Sequence, residues 1–505
     1  MLAGVRNGFD EGKTMANNHE LPPDRGVFGA GAREMPHHWW ETIRRAFVEF
    51  LKVPTFVIAG FLLLAAVMYV LDEIRIVNEG QASKEKWGGL FSDAQTTRDF
   101  LGVIAGSIIT VTSITLSLLL IAVQQGAASL TSLVFDQFLR RRANQLYFGF
   151  FIGLALYSLV VLSSITPFHQ PVYGVMVAGA MTLVALYMLI ILIYTTIDQM
   201  RPVVIIKSIH DLTLAARERQ LHLLRSTRRL PRLQGTASVS VTADRNGFLA
   251  HLGVADIAKA VTDTETEVVI LVSIGDYVAF GEPIAEIRMA GSHDVSALEP
   301  AIRKAVVLED QRDLDTDPSF GIEQLVTIGW TSISTAKSNP GPGLLAILNL
   351  RDLLARWLQT DAAFGAVEDN VVDPAAPVVY SDNLPLHLMR GYENLLVVAS
   401  ESMQHQCAAE IYRTFASLFH RLPSHLQRQA DDLLLRSLSG LGDHILTRDL
   451  EASLSALIDA LGAAGRPQCA TAIGAARHHL SLSIGRLNSR STRKDASGDR
   501  ILPGN

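Results

Sequence analysis

The sequence predicts an α-helical membrane protein with four transmembrane helices. A cytoplasmic α+β region follows, made of a small barrel-like β segment and a helical C-terminal part. Three observations carry this fold class. Four apolar runs free of Asp, Glu, Lys, Arg and His lie between residues 36 and 200, and a hydrocarbon core about 30 Å thick needs roughly 20 such residues per helix. Basic residues gather beside alternate ends of those runs. Past residue 236 the apolar pattern changes to a period of two, with glycine turns between short runs.

Composition agrees with a mixed membrane and soluble chain. Of 505 residues, 49% are apolar and 19% charged, with a net charge of −6. The two cysteines, Cys407 and Cys469, stand far apart and form no C-x-x-C pair. That argues against a disulfide framework or a cysteine zinc site, and fits a reducing compartment.

Residues 1–35 are polar and glycine-rich, with Asp10, Glu11 and Glu20 where a signal peptide needs an apolar core. They are expected to form a disordered cytoplasmic tail. The membrane domain is expected over 36–200. His37-His38-Trp39-Trp40 opens it, with the tryptophans at headgroup level. Adjacent histidines on a helix do not share a face, so no metal site is expected there. The first span is 54–71, with Pro54 tolerated in the opening turn.

The second span, 100–124, belongs to a longer uncharged run, 100–135. As one helix that run would reach about 54 Å, at 1.5 Å per residue. It should cross the membrane and project beyond it, changing over at Gln124-Gln125-Gly126. The third span is 145–165. A turn with two prolines, 166–171, leads into the fourth, 172–194.

Orientation follows from lysine and arginine. The N-terminal flank carries Arg44, Arg45 and Lys52, the connection after span two carries Arg140-Arg141-Arg142, and Arg201 and Lys207 follow span four. All face one side if there are four spans, which places both termini in the cytoplasm of an integral plasma (inner) membrane protein. The loop 72–99, with Arg75, Lys84, Lys86 and Arg98, runs against that rule.

Span two holds the most informative pattern. Gly106, Thr110, Ser113, Ser117 and Gln124 recur at helical spacing on one face. Small and hydroxyl residues in a membrane helix suit close packing against a neighbour, with hydroxyls bonding across the contact or back to their own carbonyls. The same face suits the wall of a polar pathway. The sequence leaves both readings open.

Residues 201–235 read as a basic amphipathic juxtamembrane linker. Val204, Ile205, Ile209, Leu212 and Leu223 supply apolar matter, and Arg217, Arg219, Arg225, Arg228 and Arg229 supply attraction for anionic lipid. An ordinary solvated linker is the competing reading. No base-reading element accompanies the charge, so nucleic acid is not an expected partner.

A small β domain is expected over 236–290. SVSVTAD alternates, VVILVSI is a buried-strand pattern, and 274–284 reads G-D-x-V-x-x-G-x-P-I between turn glycines. That last pattern resembles half of the small barrel of biotinyl and lipoyl domains. The nearest lysine, Lys259, lies in the helix-like ADIAKAV rather than at a hairpin tip. Barrel geometry is therefore implied and no prosthetic group, and no cofactor is expected. A helical domain follows over 291–487. It should include a short helix at 300–308 and a helix capped by Asp317 with Pro318 in its first turn. Further helices fit 344–360, 390–420, 424–440, 447–464 and 466–486, before a polar tail, 488–505.

The order of these features resembles an uncharacterised family of predicted bacterial membrane proteins, domain of unknown function 2254. The matching stretches are TVTSITLSLLLIAVQ, FLRRRANQLYFGFFIGLALYSLVVL, NGFLAHLGVADI through SIGDYVAFGEPIAEI, and DTDPSFGIEQLVTI. Family members tend to read Ala-Leu-Ser-Pro-Gly-Ile-Asn-Asp-Pro shortly afterwards. Here Ser334 and Pro340 hold, while Asn339 stands where the family has a carboxylate. The resemblance implies architecture and lends no activity.

Catalytic motifs are absent from the sequence. There is no G-x-S-x-G, Walker loop, dinucleotide fingerprint or zincin motif. The acidic run 309–317 lacks the glycine and ligand spacing of a calcium loop and reads as a linker with an N-cap. His405 and Cys407 diverge on one helix, as do His478 and His479. An enzyme is not expected; it would need a cleft gathering residues dispersed in sequence. With no Asp, Glu, Lys, Arg or His in the spans, a proton-coupled transporter is also disfavoured. What remains is an oligomeric channel-like pathway with a cytoplasmic regulatory domain, or a non-conducting scaffold or sensor whose cytoplasmic domain binds a partner. Four spans are few for a pathway, so a channel would be a homo-oligomer.

Overall fold

The computed structural model describes residues 51–79, 94–129, 141–166, 169–233, 237–261, 265–291, 296–334, 339–368, 376–442 and 444–484. The two tails, the histidine and tryptophan pairs at 37–40 and the arginine triplet's first member lie outside them.

Among the described residues four helices are long and apolar enough to cross a membrane. They are α1 (Lys52–Glu79), α2 (Ala94–Ser129), α3 (Arg142–Ser163) and α4 (Val172–Gln199). As far as Ser129 the uncharged run of span two forms one continuous helix, passing through Gln124-Gln125-Gly126; its remainder, 130–135, lies outside the described residues. Helix α3 is the centre of the bundle: half of its apolar window is buried, against 17–22% in the others. Glycine makes this possible. A Cβ on Gly149 would stand 2.8 Å from Pro54 Cα, and one on Gly153 would stand 2.5 Å from the Phe61 ring. Helix α1 therefore lies directly on α3, and small residues at the contact are what allow backbones to close up without a hydrophobic driving force. Phe61, Phe148, Phe151, Leu154 and Tyr157 fill the interior.

Helix α4 leads through Met200 and Arg201 into α5 (Pro202–Arg225), with Pro202 in the opening turn where no donor is lost. Helix α5 is amphipathic as expected, yet its apolar face does not meet lipid. Ile205, Ile206 and Ile209 join the core of the C-terminal helices. Both α8 (Pro318–Ile333) and α9 (Pro340–Glu368) pack against α5. The amphipathic pattern signalled a buried face, and neighbouring protein covers it.

The β region corrects the barrel expectation. Among the described residues its strands form two sheets and no closed barrel. Strands β1 (Ala237–Thr242), β5 (Pro283–Met289), β3 (Thr266–Ile270) and β7 (Val378–Val379) lie in that order in one sheet. Strands β4 (Tyr277–Val278), β2 (Gly247–Leu252) and β6 (Val306–Glu309) form the other. In the first, Val239 and Val268 both face Ile287, and β7 runs parallel to β3. The G-D-x-V-x-x-G-x-P-I pattern encodes two turns flanking β4: Gly275 and Gly281 have φ of +93° and +78°, open to glycine at little cost. The first carries the chain from β3 into the other sheet and the second returns it to β5, and pairing is completed by segments outside the pattern. The β region, which includes α6 (Val254–Ala260) between β2 and β3, therefore outruns 236–290. It takes in α7 (Leu298–Ala305), β6 and β7, whose Ile302, Leu308 and Val378 share its core with Val241 and Ile287. The expected helix at 300–308 ends at Ala305 and continues as β6.

The remaining helices are α10 (Leu384–Glu401), α11 (His405–Leu418), α12 (Ser424–Arg436), the single turn α13 (Leu438–Leu441), α14 (Arg448–Ala463) and α15 (Pro467–Ser481). The expected 390–420 helix is thus two helices, broken at Ser402–Gln404. Tyr392, Tyr412, Phe415 and Phe419 are buried in their common core.

Candidate functional site

The face singled out in span two is fully formed on α2. Gly106, Thr110, Ser113, Ser117 and Gln124 are all exposed. Leu101, Ile104, Ala105 and Ile108 are buried against α3 and α4. At 100° per residue the polar face lies about 150° around the helix from the buried one. It therefore points away from the bundle. Nothing lies within 4 Å of the Cβ position of Gly106, nor of Gly102 one turn earlier. Thr110 donates to Gly106 O at 2.7 Å and Ser117 to Ser113 O at 2.9 Å, so these donors close on their own helix.

At the far end of the bundle a polar cap ties the helix ends together. Asp72, fully buried one residue past the expected end of span one, accepts from Tyr173 N at 2.9 Å and Gly174 N at 3.0 Å. It satisfies the first amides of α4 from another helix, at the positive end of that helix dipole. Arg98 donates to Ile165 O at 2.8 Å and Arg75 to Gln170 O at 3.2 Å. His169 meets Glu73 at 3.1 Å. Two of the four basic residues that ran against the orientation rule are thus engaged with carbonyls at the end of α3 and the turn after it.

At the opposite end α5 threads a hub. Arg217 is 6% exposed, pairs with Asp382 and lies over the Trp357 ring at 4.5 Å. A Cβ on Gly321 would stand 1.9 Å from Thr213 Oγ1, so the α8 backbone lies directly against the Thr213 side chain where it crosses α5. His210, buried between helices, meets Asp211 at 3.0 Å and Asp352 of α9 at 2.8 Å. Burial alone would raise both carboxyls. Hydrogen bonds from Lys207 to Asp211, from Arg356 to Asp352 and from His210 to both outweigh it and hold them below the usual range.

Two stretches that carry the family resemblance meet at this hub. Gly275 abuts Asp317 and Ser319, where a Cβ would come within 2.5 Å of both side chains. Asp317 caps α8 by accepting from Phe320 N at 3.1 Å, as expected. Arg312, from the acidic linker, donates to Asp317 at 2.7 Å and Ser319 at 2.6 Å, and lies over Phe320. Ser273 and Asn383 converge on Asp276 from either side, at 2.7 Å and 3.4 Å. His387 faces Asp276, Arg312, Arg390 and Asp317; burial is the main reason its pKa is lowered.

Of the five arginines expected at lipid, Arg217 and Arg228 are turned inward. Arg228 pairs with the fully buried Glu267 and donates to Ala376 O at 2.7 Å. Burial would raise Glu267, but Arg228 and the amides of Arg232 and Leu233 hold it below the usual range. Arg219, Arg225 and Arg229 are exposed. Asn339 is exposed before α9. Sequence reading missed His210, Asp352, Arg312 and Asp72. The buried-face rhythm 205, 209, 213, 216, 220 was legible on α5, and it includes the positions beside His210 and Arg217. Among the described residues no three metal-ligating side chains gather.

No curated protein and no solved structure matches this chain. A family model described as a predicted membrane protein, DUF2254, matches residues 49–382, which covers α1 through β7 and ends on the Asp382 that pairs with Arg217. With well over half of its length matched, the chain belongs to that family of predicted membrane proteins.

Proposed function

We propose that the protein forms an oligomeric, channel-like pathway for ions or small solutes in the bacterial inner membrane, with both termini cytoplasmic and the region after α4 as its regulatory domain. The observation that carries this reading is the outward hydroxyl face of α2. The bundle interior is filled by aromatic and aliphatic side chains, so a pathway has to lie between copies, with α2 at its axis. Gly102 and Gly106 leave room for another helix to approach closely. Hydroxyls and the Gln124 amide could replace part of an ion's hydration without a titrating group. Arg219, Arg225 and Arg229 are exposed and would add attraction for anionic lipid.

A non-conducting scaffold or sensor is the second reading, favoured by the bonds from Thr110 and Ser117 to their own helix. The deciding experiment is ion flux through the purified protein in liposomes. Flux in the parent that vanishes in Ser117→Leu of unchanged oligomeric size supports the pathway. Absence of flux for several ions at both membrane polarities overturns it in favour of the scaffold. Disulfide cross-linking of Gly106→Cys in membranes tests the interface separately, because both native cysteines are buried.

A further inference from the structure

Beyond the family match, the C-terminal helices bring together three residues that the sequence scatters. Ser400, near the end of α10, has its Oγ 3.1 Å from His444 Nε2. His444 Nδ1 stands 2.8 Å from His405 Nδ1, the first residue of α11. The Ile445 amide also points at His405 Nδ1, at 3.3 Å. A backbone amide can only donate, so that ring nitrogen is an acceptor. That contact favours the tautomer with the proton on His444 Nδ1, in which His444 Nε2 turns its lone pair toward Ser400 Oγ. His444 is 0% exposed and Ser400 7%. The turn that returns His405 to this place runs through Met403, whose φ of +56° is the one left-handed backbone at a non-glycine residue among those described. Such conformations persist where surrounding structure holds them.

Ser400 also lines an open cleft of about 230 Å³ between α10, α12 and α13. Leu396, Val397 and Leu433 give it an apolar wall. Arg436, held by Asp432 at 2.8 Å, and the Ser439 side chain give it donors. In this arrangement a nucleophile touches a base, a third group orients that base, and a cavity sits beside the nucleophile.

We propose that Ser400 is a nucleophile activated by His444, with His405 as the positioning residue, in an acyl-transfer site for a small ester. Ser400 Oγ adds to the ester carbonyl carbon while His444 Nε2 takes the hydroxyl proton. The carbonyl oxygen, now negative, meets Arg436 and Ser439. The bond to the leaving alcohol breaks, and His444 returns the proton to that alcohol. Water then attacks the acyl-serine while His444 Nε2 takes its proton; the acyl–Oγ bond breaks, His444 returns that proton to Ser400 Oγ, and the carboxylic acid leaves. In the resting structure the hydroxyl also reaches Leu396 O at 2.9 Å, so attack requires it to leave its own helix carbonyl.

The test is labelling of the full-length protein in detergent with a fluorophosphonate, which forms a stable adduct on activated serines, followed by peptide mass spectrometry. An adduct on Ser400 is expected. Removing the base, His444→Gln, should slow it by on the order of 10²-fold or more. His405→Gln should shift the pH profile of labelling rather than abolish it. No adduct on Ser400, equal labelling of His444→Gln, or equal labelling of the urea-unfolded protein overturns the proposal. If His444→Gln does not fold, the pH profile of the parent decides. A rate that rises with one ionisation in the histidine range supports a histidine base, and a rate that follows hydroxide alone excludes it.

Discussion

Helices α2 and α5 both carry a polar stripe at helical spacing, and the two stripes meet opposite fates. On α2 the hydroxyls face away from the bundle and Thr110 and Ser117 bond to their own backbone. On α5, His210, Thr213, Arg217 and Gln220 are buried, and their partners Asp352, Gly321 and Asp382 come from elements more than a hundred residues away. Periodicity announces that a helix has a distinct face. Whether that face turns toward lipid, a second copy or the protein's own core is decided by what packs there, which periodicity does not encode.

The contrast predicts unequal consequences. The largest belongs to Asp382→Ala, which leaves Arg217 buried without its carboxylate. Breaking one side of such a pair costs about 3–5 kcal/mol, to be read as a lowered denaturation midpoint of the full protein. Loss of less than ~1 kcal/mol would show that Arg217 finds a substitute partner and that the α5 stripe is less fixed than its burial suggests.

Gly321→Ala comes next. Its Cβ has no room beside Thr213, and overpacking of this kind costs about 1–3 kcal/mol. Thr213→Ser, which keeps Oγ, should not relieve it, whereas Thr213→Gly should restore part of the loss in the double variant. Purely additive effects would mean that the helices move apart and that the close crossing is not enforced.

Acid should loosen the α5 side of the comparison first. Glu267, Asp211 and Asp352 have folded-state pKa values below their usual ones. Their contribution is present above the unfolded values, near 4, and is lost as pH falls through the lower folded values. Glu267→Gln should therefore flatten the acid end of the stability curve of the β region, measured by unfolding at stepped pH between about 5 and 2. An unchanged curve would mean that the Arg228 pair survives protonation.

The smallest effect belongs to α2. Ser113→Ala on the exposed face should change stability within about ±0.5 kcal/mol. A larger loss in the oligomer than in the dissociated protein would show that the face is an interface, which sharpens the contrast with α5.

Much of this architecture was legible. The four spans could be read because lipid demands long uncharged runs, and the start of α8 because Asp317-Pro318 is a local cap that needs nothing distant. Arg217 and Arg228 were not legible as core residues. An arginine beside a membrane span reads as a topology signal, and the partners that bury it, Asp382 and Glu267, lie 165 and 39 residues away. The β region was readable strand by strand but not as two sheets, because β6 and β7 are four and two residues long and pair with strands far back in the chain. Asp72 escaped notice because it stands one residue beyond an apolar run, where a carboxylate is unremarkable until a helix N-terminus is placed above it. The hydroxyl face of α2 was visible at once, while its outward direction required the neighbours α3 and α4.

The two-residue joint at Met200 and Arg201 makes α5 a lever arm. With 24 residues it is about 36 Å long. A tilt of about 5° at the joint would sweep its distal end through about 3 Å, by the same 1.5 Å rise per residue. The crossing of α5 with α8 has no slack of that size, since the Gly321 backbone sits against the Thr213 side chain. A movement of α4 must therefore either carry the hub along as one piece or tear that crossing open. In the first case a tilt of α4 would be felt as a linear displacement at the Arg217 to Asp382 pair and the sheet edge beyond.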